Sequence, residues 1–399
     1  MRLAVELYDH IIGTLEGDAR DFDFFPMPSG LDRFGANSPV LSVAVPLTPA
    51  PRRDRATRRR NWFSELLPEG DQYDHMLAQG GLRRGDTPSF LARYGRDVAG
   101  ALQIWDLDDP TEPRTPDLRP VDDAAIRELL TDPLRSPLGN DTVTGRSSLG
   151  GVQPKIVLVR TEHGWAQSLG GHPTTHILKP RLGGALSTTI FDEEFGARIA
   201  RRLGLSEVAT TIDDFDGLPA LVIERFDRHD GARVHQEDFN QALGAEGNQK
   251  YQEVGGVVSL QRVAETLQRH APRSDLLRFA RMVTLAVAIG NLDMHTKNIG
   301  LLHLPDGEVR LSPAYDVVPQ THQRNDGRLA LAVNGTYIHR DVTRADLEAE
   351  FSRWGLSAKA SAVDETLDAI ADIVEHERPV EGAFPQLREQ ILGFIAALR

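Results

Sequence analysis

The 399-residue chain contains no cysteine, which excludes disulfides, thiolate nucleophiles and thiolate zinc sites. None of its 13 histidines falls in the H-E-x-x-H spacing of a zincin. Long apolar runs are also missing: nothing approaches the roughly 20 residues needed to cross a bilayer. The opening Met1-Arg2-Leu3-Ala4-Val5-Glu6-Leu7-Tyr8-Asp9 places carboxylates where a secretory signal needs an unbroken apolar stretch. The expectation is a cytoplasmic protein with no membrane partner. Lysine is scarce as well. Of the 45 basic residues only Lys155, Lys179, Lys250, Lys297 and Lys359 are lysine, leaving 45 − 5 = 40 arginines. In a chain that uses arginine by default, a lysine marks a place where a compact ammonium on a flexible stem is wanted, such as a phosphate contact.

Asp and Glu number 58, giving 45 − 58 = −13, which argues against wholesale binding to nucleic acid or an anionic membrane and leaves room for a local basic patch. With 40% hydrophobic and 26% charged residues, the chain has an ordinary globular balance and enough length for two or three domains. Alternation at Leu3, Val5 and Leu7, a turn at Asp9-His10 and a return through Ile12 to Thr14 predict an opening hairpin. Val40–Leu47 reads as a further strand, Trp62–Leu67 and Pro88–Tyr94 as helices, and Ala99–Trp105 as a closing strand. The arginine-rich stretch from Arg52 to Arg60 is bounded by prolines; such runs are ordinarily solvated surface. Asp106–Pro120, rich in Asp, Pro and Thr, is the best linker in the chain. After it come a short helix at Asp122–Leu130, strands at Ile156–Val159, His176–Lys179 and Leu221–Glu224, and an amphipathic helix at Asp192–Leu203. Beyond Asp238 the pattern turns helical, with a buried helix over Leu276–Ile289. Sheet first and helices later describe an α+β fold with a cleft between the parts.

The buried helix stops at Gly290-Asn291 and leads into Leu292-Asp293-Met294-His295-Thr296-Lys297-Asn298, then an apolar strand. An Asp with an Asn five positions later, between a buried helix and a strand, has the spacing of a protein-kinase catalytic loop. A second Asp, Asp316, follows the short strand ending at Leu311. Asn298 and Asp316 would suffice for Mg2+, which takes hard oxygen ligands and usually one or two carboxylates. Upstream, Ser147-Ser148-Leu149-Gly150-Gly151-Val152-Gln153-Pro154-Lys155 precedes a strand, and adjacent glycines let backbone N–H groups approach an anion. Lys179 ends a strand and Glu194 opens the following helix, the order of the Lys–Glu pair that holds nucleotide phosphates in protein kinases. Loop, Lys, Glu, Asp-Asn and Asp therefore occur in kinase order.

These segments resemble the HipA-type serine/threonine kinase toxins of bacterial type II toxin–antitoxin systems. The likeness rests on Ser148–Lys155, His176–Lys179, Val222-Ile223-Glu224-Arg225-Phe226-Asp227-Arg228, His235–Asp238, Asp293–Asn298 and Pro313–Asp316. It extends to Leu66-Leu67-Pro68 and Tyr94–Ala101, and so covers nearly the whole chain. The resemblance implies a protein-kinase-like bilobal fold, a sheet-bearing N-lobe and a helical C-lobe, with an additional N-terminal α/β subdomain. Its expected parts are an N-terminal subdomain over residues 1–108, a linker at 109–120, an ATP-binding lobe at 121–225 and a catalytic lobe at 226–399. It further implies Asp293 as catalytic base, Asn298 and Asp316 as magnesium ligands, and Ser148, Leu149, Gly150, Gly151, Val152, Lys155, Lys179 and Lys297 around ATP. The backbone of Glu224 and Phe226 would form the hinge against adenine. Ser148 corresponds to a serine that related toxins phosphorylate on themselves. The implied partners are a HipB-like helix-turn-helix antitoxin, operator DNA reached through that antitoxin, and a protein substrate, an aminoacyl-tRNA synthetase in the family. Once the antitoxin anchors DNA, Arg58, Arg59 and Arg60 would be free to touch phosphates. A small-molecule kinase or a catalytically silent corepressor would present the same motifs.

Overall fold

The computed structural model describes residues 1–133, 138–140, 145–150, 153–229, 231–357 and 362–399. The chain opens with strands β1 (Arg2–Leu7), β2 (His10–Gly17) and β3 (Phe22–Pro26), then helices α1 (Pro28–Phe34), α2 (Ala56–Ser64), α3 (Gly70–Gly80) and α4 (Thr87–Tyr94), and strand β4 (Leu102–Asp106). The hairpin is present, but its turn residues are Tyr8 and Asp9, both with φ near +55°, where Asp9-His10 was expected to turn. That is the turn whose twist matches paired strands. The antiparallel sheet has the order β3-β2-β1-β4 and buries Leu3, Val5, Leu7, Ile12 and Leu15 against Trp62, Phe63 and Phe90.

Val40–Leu47 is not a strand. Pro39 and Pro46 lack backbone donors, and Ser42 Oγ accepts the N–H groups of Ala44 and Val45 at 2.8 and 3.2 Å, which diverts the backbone from a ladder. The arginine-rich stretch begins with a 3-10 turn at Arg53–Arg55 and runs from Ala56 into α2, which starts six residues before the predicted helix at Trp62.

The segment proposed as a linker, 109–120, ends inside the next sheet. Its last residues begin β5 (Asp117–Val121), an edge strand paired with β7, which explains how Pro120 is tolerated. Glu112 within it is buried against Arg96 and Arg114, so the segment is docked rather than free. There follow α5 (Asp123–Thr131), β6 (Ile156–Thr161), β7 (Gly164–Leu169), β8 (His176–Pro180), α6 (Thr189–Arg202), β9 (Thr210–Phe215) and β10 (Leu218–Glu224). The six strands form an antiparallel sheet in the order β5-β7-β6-β8-β10-β9.

The second lobe begins with short strands β11 (Arg228–His229), β12 (Ala232–Arg233) and β13 (His235–Asp238). Helices α7 (Phe239–Leu243), α8 (Leu260–His270) and α9 (Arg273–Ile289) come next, then strands β14 (Gly300–His303), β15 (Val309–Leu311), β16 (Arg328–Val333) and β17 (Thr336–Ile338). Helices α10 (Arg344–Arg353), α11 (Val363–His376) and α12 (Leu387–Leu398) close the chain. Helix α9 is apolar on nearly every face because α8, α11 and α12 surround it. No helix among the described residues is long and apolar enough to cross a membrane.

Candidate active site

Helix α9 ends where Gly290 turns left-handed at φ 72°, and its N–H bonds Val287 O while Asn291 N–H bonds Ala286 O. A Cβ at 290 would lie 2.7 Å from the Thr321 side chain, so glycine is favoured there both by conformation and by space. The chain leaves this cap into a self-bonded loop. Asn291 Oδ1 accepts Asp293 N–H at 3.1 Å, Asp293 O accepts His295 N–H at 2.7 Å, and Asn298 Nδ2 donates back to Asp293 O at 2.9 Å. Asn298 is thereby oriented with its Oδ1 accepting nothing from the described residues.

Half-buried Asp293 also accepts Tyr251 Oη–H at 3.2 Å. Burial, and then the charge of Asp316, push its carboxyl up to about 6. The His295 ring packs edge-on against Tyr251, and burial lowers it to about 4, so it is a neutral wall beside Asp293.

Asp316 sits in the left-handed region at φ 55° and brings its Oδ1 to 2.6 Å from Lys179 Nζ. Lys179 simultaneously pairs with Glu193 Oε1 at 2.7 Å. The sequence pointed to Glu194, but Glu194 faces the other way and binds Arg198 one turn along α6 at 2.7 Å. One residue is about 100° around a helix, so a one-position error in register selects a different face. Gly196 permits the arrangement, since a Cβ there would lie 2.0 Å from Val317 O. Helix α6 therefore rests directly on the backbone that carries Asp316. Burial opposes charge on Lys179 and Asp316, but their mutual attraction outweighs it and holds Lys179 above and Asp316 well below their ordinary ranges. For Glu193 burial prevails and raises it to about 7.

Lys155 is buried and donates to Gly150 O at 2.6 Å, bracing the glycine loop. Burial and then the neighbouring Lys179 charge pull it down to about 8. Ser148 and Leu149 turn toward the N-terminal domain: Ser148 Oγ donates to Leu66 O at 3.0 Å and Leu149 packs into that domain's core. Gly151 and Val152 lie outside the described residues. Lys297 Nζ is paired with Glu65 and Glu69 at 2.9 and 2.7 Å. At the other end of the cleft, Glu224 N–H bonds Ala209 O, and the Phe226 ring lies 5.3 Å from that of Tyr315.

The donor set fits Mg2+ and a nucleotide. Asn298 and Asp316 offer hard oxygens for the metal. Lys155 and Lys179 are buried close enough for their ammonium charges to repel, a strain that a polyanion between them relieves. An open groove of about 420 Å³ lies beside Asp293, lined among others by Tyr251, Gln320, Arg324 and Arg328.

Two of the motifs singled out in the sequence find partners that the sequence did not show. Arg225 and Arg228 of the Val222–Arg228 motif grip Asp227 and, across the domain boundary, Asp97, with Arg228 Nη2 at 2.8 Å from Asp97 Oδ1. Glu237 accepts hydrogen bonds from Trp62 Nε1 at 2.7 Å, Ser42 Oγ at 2.5 Å and Val43 N–H at 2.9 Å, and lies 3.0 Å from His303 Nε2. Glu237 is thus a domain fastener, while Asp238 caps α7. The available signal was charge embedded in apolar sequence, as in Tyr94–Ala101. Of the arginines expected at DNA, Arg59 is buried on Asp23 and Arg58 donates to Ala242 O, while Arg60 keeps a surface pair with the exposed Asp21.

The profile of the HipA-like C-terminal domain matches residues 147–377, and that of the HipA N-terminal domain residues 3–105. "Putative kinase Y4mE" of Sinorhizobium fredii is 33% identical over 390 residues, covering 92% of this chain and 90% of that protein. "Serine/threonine-protein kinase toxin HipA" of Shewanella oneidensis is 27% identical over 379 residues, covering 89% and 84%. In the solved complex of Shewanella oneidensis HipA, HipB and operator DNA, one chain superposes with a TM-score of 0.79 at 23% identity, covering 99% of this chain and 95% of that one. With both lobes, the N-terminal domain and the Lys–Asp–Asn arrangement in place, the chain belongs to the HipA family of kinases.

Proposed function

We propose that the protein is an ATP- and magnesium-dependent serine/threonine protein kinase that acts as a growth-inhibiting toxin. The observation that carries this reading is the meeting of Lys179 with Asp316 across the cleft, beside the loop that holds Asp293 and Asn298. Lys155 and Lys179 would hold phosphate oxygens, and the backbone at Glu224 and Phe226 would face adenine. Magnesium, held by Asn298 and Asp316, would supply charge neutralisation on the transferring phosphoryl group. Asp293 orients the acceptor hydroxyl and takes its proton, a role that its raised basicity suits. The open groove beside Asp293 favours an acceptor carried on a polypeptide.

The family relationship supports a HipB-like helix-turn-helix antitoxin as partner, with operator DNA reached through it, and an aminoacyl-tRNA synthetase as substrate. Ser148 is proposed as a site of self-phosphorylation, which requires the glycine loop to leave Leu66 first. Incubation with γ-labelled ATP, Mg2+ and a cell lysate tests the activity. Label on protein serine or threonine supports it; label only on small molecules, or none, overturns it.

A further inference from the structure

Residues 65–69 lie in the N-terminal domain, yet they touch three separate parts of the catalytic centre. Glu65 Oε2 accepts from Lys297 Nζ at 2.9 Å and from Asn240 Nδ2 at 3.0 Å, while its Oε1 accepts Gly247 N–H at 2.8 Å. Glu69 closes a second bridge, from Lys297 Nζ at 2.7 Å to Lys250 Nζ at 2.9 Å. Between them, the Leu66 carbonyl holds Ser148 of the glycine loop. Asn240 passes the constraint on, because its Oδ1 accepts Thr296 Oγ–H at 3.1 Å. Thr296 and Lys297, the two residues immediately before Asn298, therefore both hang on a network that ends at Glu65. Tyr315, next to Asp316, donates to Lys297 O at 2.9 Å and joins the second magnesium ligand to the same point. Lys297 and Glu65 are each more than nine-tenths buried, so these are interior ties and not mobile surface pairs.

We infer that Glu65 and Glu69 are positioning residues of the kinase site, supplied in cis by the N-terminal domain, and that Lys297 is their anchor point and not a phosphate contact. This rests on the kinase reading above. Two carboxylates of the N-terminal domain neutralise the Lys297 ammonium, which leaves it little attraction for a nucleotide, whereas Lys155, among the described residues, donates only to the Gly150 carbonyl and keeps its need for an anion. The consequence is a kinase whose catalytic loop is set by a domain outside the two lobes. Detaching that domain would disorder the loop without removing any residue that touches ATP.

The test is the double variant Glu65→Gln/Glu69→Gln in the full chain. Amide exchange should quicken by about tenfold or more in peptides covering 293–298 and remain as in wild type in β6–β10. Misplacing the loop should lower kcat by roughly ten- to a hundredfold, with the KM for ATP within about threefold of wild type. In a Lys297→Gln background the same two changes should lower kcat by a smaller factor than in the wild-type background, because the Lys297 tie is already gone and only the tie through Asn240 to Thr296 remains. Tighter ATP binding by the double variant would instead mean that Lys297 is a restrained phosphate ligand, and would overturn the inference. Unchanged exchange at 293–298 would overturn it too. If the wild type transfers no phosphate, the kinase reading fails, and the exchange comparison still decides whether the tie positions the loop. Should the double variant not fold, Glu69→Gln alone, at the more exposed of the two carboxylates, carries the same readouts.

Discussion

Asp293 owes its raised carboxyl first to burial and then to Asp316, and the second cause can be switched off. Below about pH 6 Asp293 is protonated and cannot accept a proton, so kcat/KM should fall as pH is lowered through that value. A cation on Asp316 removes the repulsion, so raising Mg2+ should shift this acid limb downward, toward the ordinary aspartate value near about 4. Rate profiles at two magnesium concentrations check both statements, and a limb that stays fixed would contradict the coupling. At this scale much was legible in the sequence. That Asp316 and Lys179 meet, and that Asn298 bonds back to Asp293, could be anticipated from their order and spacing, because a loop tethered between a helix and a strand tolerates few spacings. Glu193 was not legible, since neighbouring acids on a helix differ only in the face they occupy, and that face is decided by packing on Val317.

Among the elements, the glycine loop has the sharpest consequence. Ser148 is fully buried, with its hydroxyl on Leu66 O and its N–H on Asp97 O. A phosphate there brings roughly −1.5 to −2 charges into a fully buried contact whose Leu66 partner is itself a carbonyl acceptor, so the loop must leave. Ser148→Asp should therefore weaken ATP binding and make the loop accessible to protease. Ser148→Ala, which loses one hydrogen bond, should bind ATP much as wild type does. Calorimetric titration with nucleotide and limited proteolysis would show it; a Ser148→Asp protein as protected and as tight-binding as wild type would contradict the mechanism. The buried helix α9, the opening hairpin and the strands beside the site could be read from periodicity. Val40–Leu47 could not, because its apolar alternation is that of a strand while two prolines and the Ser42 hydroxyl deny it a ladder. The docked linker was equally hidden: its polar composition is that of a tether, and only β7 makes its end a strand.

For the whole molecule, the central fact is that the N-terminal domain is built into the kinase. Asp97 and Arg228 meet 131 residues apart in sequence, and neither motif contains a sign of the other. Asp97→Asn would leave buried Arg225, Arg228 and Arg233 short of an anion, at a cost of about 3–5 kcal/mol. Urea unfolding should show a clearly lowered midpoint, while Arg52→Ala, which breaks an exposed pair with Asp54, should leave the midpoint unchanged. Equal midpoints for the two variants would contradict the role assigned to the buried cluster. The most direct test of the account as a whole compares wild type, Asp293→Asn and Asp316→Asn for ATP affinity and phosphate transfer in one set of conditions. Asp293→Asn should bind magnesium-ATP about as well as wild type and transfer phosphate roughly 10²–10⁴ times more slowly. Asp316→Asn should lose the magnesium dependence of binding as well. Wild-type transfer by Asp293→Asn would contradict the account.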